Sequence, residues 1–252
     1  AYALFVRARC EEHGLPPFDA AAVARVIEYG SRLVEDQFKL STQFGAVQDL
    51  IIEAGHWARI SGRDTVQAAD VERALTEARY RANLVEQQMR AAILEGTVSV
   101  QVTGTAVGPI NGLTVLDYGD YSFGHPTRIA ARAYVGRSGV LVIEREAHMT
   151  GRIHNKGLLT LEGYLGGQYA VKEPLTLAAS LSFDQTYSEI DGDSAASTEL
   201  YVLLSTLAGL PIKQGIAVTG SVDQQGRIQP VGGLQAKIEG FFDVCAARGL
   251  TG

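Results

Sequence analysis

Along the first 95 residues apolar side chains return every three or four positions; after Gly96 they return every second one. The first rhythm belongs to a helix with one buried face, the second to a strand. In FDAAAVARVIEYGSRLVEDQ, Asp19 stands as an N-cap ahead of Val23, Val26, Ile27 and Leu33. Ser41-Thr42 opens a second helix, with Phe44, Val47, Leu50 and Ile51 on one side. A third is expected from near Val66 through Val71, Leu75, Ala78, Leu84 and Val85 to Gly96. TVSVQVT then alternates without a break, with Val98, Val100 and Val102 on one face. LTVLDY, TRIAARAYV, VLVIERE, LTLAASLSF and GIAVTGSV read as further strands, interrupted by helices at about 157–168, 194–208 and 233–247. This order predicts an α+β protein: a helical subdomain over 1–95, then a mixed domain over 96–252, with no flexible linker between them.

Composition mainly excludes. A net charge of −6 argues against a general nucleic-acid binder, whose affinity rests on cationic contacts to phosphate. No apolar run approaches the roughly 20 residues of a membrane span. The opening AYALFVRARCEEHG carries charge in its first turns and no small-residue cleavage site, so it does not read as a signal peptide. Cys10 and Cys245 stand far apart in no metal-type spacing, which favours a reducing, cytoplasmic setting over a disulfide scaffold or zinc site. The chain begins on Ala1 and stops at Gly252 without a terminal element, so a fragment of something longer is expected.

Two short stretches carry candidate chemistry. In IDGDSAAST, Ser194 precedes a helix striped by Leu200, Leu203, Leu204 and Leu207. A helix start offers unpaired N–H groups and the positive end of the dipole, where an oxyanion would be stabilised. The plain alternative is an ordinary N-cap, so the serine needs a base. None of the five histidines, His13, His56, His125, His148 and His154, lies in a recognisable catalytic pattern. Among the five lysines, Lys39, Lys156, Lys172 and Lys213 lie in polar or turn-like text. In VGGLQAKIEGFF, Lys237 borders an expected apolar face of Leu234, Ile238, Phe241 and Cys245. Desolvation there would favour the neutral amine, which can take a proton from a serine. The alternative is a snorkelling lysine with its head in water.

Taken together these blocks resemble a known family. IDGDSAAST followed by GGLQAKIEG is similar to the serine and lysine segments of Lon-type peptidases, with the archaeal-like acid before the serine. IAVTGSVDQQGRIQPVGG, NGLTVLDYGDYSFGHPTRIAARAYVG, HNKGLLTLEGYLGG and LSFDQTYSEIDGDSA extend the resemblance over most of 96–252. FKLSTQFGAVQDLIIEAGHWARISGRDTVQAADVERAL and YRANLVEQQ resemble the helical lid of an AAA+ ATPase. The resemblance implies Ser194 as nucleophile, Lys237 as general base and Thr219 as the hydroxyl that holds the lysine. Asp193 would tune the lysine or cap the helix, and Glu189 would lie near the site or simply in solvent. It also implies a serine endopeptidase acting on unfolded or damaged polypeptides, as a ring of six, with no metal and no nucleic acid.

The chain departs from the family in three places. No lysine is followed by Ser or Thr, so there is no P-loop, and ATP would enter only through an upstream nucleotide domain. Gln43 in LSTQFG stands where lids of this type often carry a nucleotide-sensing arginine, which tilts the expectation toward ATP independence. The peptidase text also ends soon after Lys237, where family domains continue. The competing functions are a non-enzymatic lid and scaffold for ring assembly or unfolded-chain binding, and a serine amidase using a histidine.

Overall fold

The structure, a computed structural model, describes residues 1–119, 121–136, 139–170 and 178–250. Lys172 and the first three residues of the expected strand LTLAASLSF lie outside them. The chain forms two compact units, Ala1–Val85 and Glu86–Gly252. No helix of the described residues is long and apolar enough to cross a membrane.

The first unit is helical: α1 (Tyr2–His13), α2 (Ala20–Arg32), α3 (Phe44–Ile60) and α4 (Ala68–Ala82). Asp19 caps α2 by accepting a 2.7 Å bond from the Ala22 amide. Val47, Leu50, Ile51, Ala54 and Ala58 form the buried stripe of α3, against Val26 of α2 and Val71 and Ala74 of α4. Phe44, expected on that stripe, is exposed. The expected third helix is two helices, because Asn83 ends α4 with φ −91° and ψ 16° and α5 follows over Leu84–Leu94. That is the sparsely used bridge region, which asparagine accepts readily, and an apolar rhythm that runs straight across it cannot report the stop. Leu84 and Val85 are accordingly exposed.

The second unit is α+β. Its sheet holds β2 (Pro109–Asp117), β3 (Ser122–Tyr134), β4 (Gly139–Val142), β5 (Ala178–Phe183) and β7 (Ala217–Val218), in the order β4-β5-β3-β2-β7. Two small pairs stand beside it: β1 (Thr105–Ala106) with β6 (Ile212–Lys213), and β8 (Ser221–Val222) with β9 (Ile228–Gln229). Its helices after α5 are α6 (Ile143–Glu146), α7 (Arg152–Tyr169), α8 (Ala196–Ala208) and α9 (Leu234–Ala247). The long β3 pairs antiparallel with β2 and β5, while both outer pairings are parallel. Its inward residues Ile129 and Ala131 join Leu181, Leu158, Leu161, Leu200 and Leu203 in the core.

TVSVQVT is not a strand. Val100 and Val102 are buried as the alternation implies, but the backbone bonds to side chains instead of a ladder. Gln185 takes the Ser99 amide, Arg248 the Val100 carbonyl and Asn111 the Gln101 carbonyl, at 2.7–2.8 Å. GIAVTGSV is likewise split into β7 and β8, in different sheets, with Thr219 and Gly220 between them.

Candidate active site

The serine loop is built from the end of α7. Ile190 bonds through its amide to the Met149 carbonyl and through its carbonyl to the Gly151 amide, both at 2.8 Å. One oxygen of Asp191 accepts the amides of Ile153 and His154, each at 3.1 Å, capping α7. Bonds from the Gly192, His154 and Ile153 amides, in that order of weight, hold the Asp191 carboxyl below its usual range. Ser194 follows Asp191 by three residues and stands two residues ahead of α8.

The lysine arrives on α9, but on a face that the apolar spacing does not show. Leu234 and Ile238 are 48% and 56% exposed, whereas Lys237 is 4% exposed on the side shared with Gly240 and Val244. Gly240 meets Gly124 of β3 backbone to backbone: a Cβ at Gly240 would overlap the Gly124 carbonyl, and one at Gly124 the Ala236 carbonyl. Glycine contributes no hydrophobic signal, so a contact made of two glycines is silent in a hydropathy pattern.

These two elements meet. Lys237 Nζ lies 3.1 Å from Ser194 Oγ and 3.0 Å from Thr219 Oγ1. Thr219 donates its hydroxyl to the Ser194 carbonyl at 3.2 Å, and the Gly220 amide bonds to the same carbonyl at 2.8 Å. The Ser197 amide in turn donates to the Gly220 carbonyl at 3.0 Å. The break between β7 and β8 thus exists because Gly220 spends its backbone bonds on the serine segment.

The remaining candidates fall elsewhere. The Asp193 carboxylate accepts the Ser221 hydroxyl at 2.9 Å, and α8 begins without a side-chain cap. Asp193 and Ser221 line a cavity of about 260 Å³ with Lys156, Thr160 and Gln229. Glu189 is exposed. Among the described residues no histidine is bonded to Ser194; His125 bonds to the Pro126 carbonyl, and burial makes it harder to protonate. His154 is buried beside Glu199, which sequence reasoning missed. Its spacing was a usable signal, since Glu199 stands three and four residues before the buried Val202 and Leu203.

Comparison with known proteins matches two families. Residues 187–243, which hold Ser194, Thr219 and Lys237, match the Lon protease (S16) C-terminal proteolytic domain. Residues 17–81 match the archaeal LonB AAA+ ATPase LID domain. A Lon protease homolog of Escherichia coli is 40% identical over 77% of this chain and 34% of its own length. One of Haemophilus influenzae is 34% identical over 100% of the chain and 41% of its own. The chain belongs to the Lon family. The archaeal Lon protease of Archaeoglobus fulgidus is 27% identical over 89% of the chain and 35% of its own length. The chain therefore spans 34–41% of the length of these relatives, carrying a lid and a peptidase domain.

Proposed function

We propose that this Lon segment is a serine endopeptidase in which Ser194 is the nucleophile and Lys237 the general base. The observation that carries the reading is the 3.1 Å approach of a buried lysine amine to a serine hydroxyl, inside the family's proteolytic segment. An uncharged amine accepts the Ser194 proton as Oγ attacks a peptide carbonyl. Lys237 then returns that proton to the leaving amine, and water resolves the acyl-enzyme. Thr219 orients the amine by accepting one of its N–H bonds. The Ala196 and Ser197 amides are engaged by Asp193 and Gly220, which narrows the oxyanion donors to the amides of Ser194 and Ala195.

Substrates in this reading are unfolded or damaged polypeptides, bound extended and recognised mainly through their backbone. Assembly as a ring of six, turnover without ATP and a cytoplasmic setting belong to the same proposal. The exposed Gln43 and two free cysteines fit the last two. Casein cleavage tests it: Ser194→Ala and Lys237→Ala should each lower kcat by about 10³-fold or more, with the fold intact by circular dichroism. Near-normal turnover by Lys237→Ala would remove the dyad.

A further inference from the structure

His154 and Glu199 are both only 1% exposed, and His154 Nε2 lies 3.5 Å from Glu199 Oε1. Among the described residues neither atom meets hydrogen-bond geometry with any partner, each other included, so two buried polar atoms face one another at contact distance. The backbone of Gly192 lies within reach of the imidazole as a hydrogen-bond partner, and with Nε2 turned to Glu199 the nitrogen left to meet it is Nδ1. Gly192 is two residues from Ser194, and the same turn of α7 already holds Asp191 through the Ile153 and His154 amides.

We propose that His154 and Glu199 are positioning residues for the nucleophile: the Glu199 carboxylic acid donates to His154 Nε2, which fixes the imidazole with its proton on Nδ1 and so anchors the Gly192 carbonyl and the Asp191–Ser194 loop. The inference rests on the reading of Ser194 as nucleophile.

The surroundings favour uncharged partners on both sides. Burial, and then the Glu144 carboxyl, push Glu199 up to about 8, so it keeps its proton at neutral pH. Burial also makes His154 harder to protonate, against weaker opposite pulls from the Gly192 bond, Glu144 and Asp191 and with a further push from Arg145. Charge is disfavoured on each partner, so in this proposal the 3.5 Å contact closes through the proton of a neutral acid and not as an ion pair. Glu144 and Arg145 face it from α6 and Asp191 from the loop. Glu144 is fixed by the Ser182 hydroxyl and the Phe183 amide, and the Phe183 ring meets the imidazole edge-on at 5.6 Å. A neutral imidazole carries one proton. Whichever nitrogen accepts leaves the other to donate, and the acid decides which.

The test compares Glu199→Gln, whose amide still donates, with Glu199→Leu, which fills the site without a donor. Leu should lower kcat on casein by about 10²-fold with KM little changed, as expected for a misplaced nucleophile, while Gln should stay within about threefold of wild type. Wild-type turnover should fall above about pH 8 as the acid ionises, and the Gln variant should lack that fall. A second arm needs no turnover. In a Ser194→Ala background, hydrogen exchange of the amides at 191–195 should quicken about tenfold with Leu and stay unchanged with Gln. If the wild type does not cleave, the dyad reading fails and the exchange arm alone judges the clamp. Unaltered exchange with Leu, or a Gln variant as impaired as Leu, would overturn it.

Discussion

Thr219 has a single hydroxyl proton and gives it to the Ser194 carbonyl, so toward Lys237 it can only accept. The lysine is thereby aimed by a group that cannot compete for the serine's proton. Thr219→Val should lower kcat by about tenfold to a hundredfold, and Thr219→Ser should restore most of it. Lys237→Arg is a sharper test of role. Arginine keeps charge and donors but does not deprotonate in proteins, so casein cleavage should be lost as fully as with alanine. Retained cleavage would mean that Lys237 supplies only a charge. At this scale the meeting of Ser194, Thr219 and Lys237 was legible because each lies in a short block of recognisable order and spacing. Glu199 was not, because a glutamate on an amphipathic helix reads as a solvent-facing residue until its spacing to Val202 and Leu203 is checked.

The placement of Lys237 is set by elements as much as by its own side chain. Helix α9 runs over Leu234–Ala247, close to the expected 233–247, yet its buried side is the one marked by Gly240. Gly240→Ala would push α9 off β3 to clear the Gly124 carbonyl. Such overpacking destabilises by about 1–3 kcal/mol, and a shift of about 1 Å in the lysine lowers turnover by about 10²-fold. Urea unfolding and casein kinetics on the same preparation would show both effects; wild-type behaviour in either would place the helix elsewhere. Residues 97–103 teach the converse. Their alternation correctly reports which valines are buried but says nothing of backbone partners, here supplied by Gln185, Arg248 and Asn111. Periodicity encodes burial directly and hydrogen bonding only by association.

For the molecule as a whole, the α+β class followed from the change of rhythm at Gly96, although the compact units divide at Val85. The ladder gap at Thr219 was not readable, since it answers to bonds with a segment 25 residues away. Burial of Glu199 and His154 also gives folding a pH signature. Glu199 lies above its ordinary 4.5 at about 8, so its contribution is complete below 4.5 and gone once pH has risen through about 8. His154 lies below its ordinary 6.5, so its contribution is complete above 6.5 and fades as pH falls toward its depressed value. The two slopes oppose one another below 6.5, and above 6.5 only that of Glu199 remains. Against Glu199→Gln, wild-type stability should therefore fall by about 1.4 kcal/mol per pH unit up to pH 8 and level off beyond. Urea midpoints from pH 5 to 9 would follow it, and parallel curves would show a carboxyl that titrates normally.

The twofold bonding of Gly220, to the carbonyl of Ser194 and from the amide of Ser197, ties Ser194 and Thr219 into one backbone-laced piece. Lys237 stands outside that lacing, on a helix seated through a bare glycine junction. For the proposed dyad, arming is thus a question of seating: lift that one helix and the hydroxyl stays where it was, intact and inert.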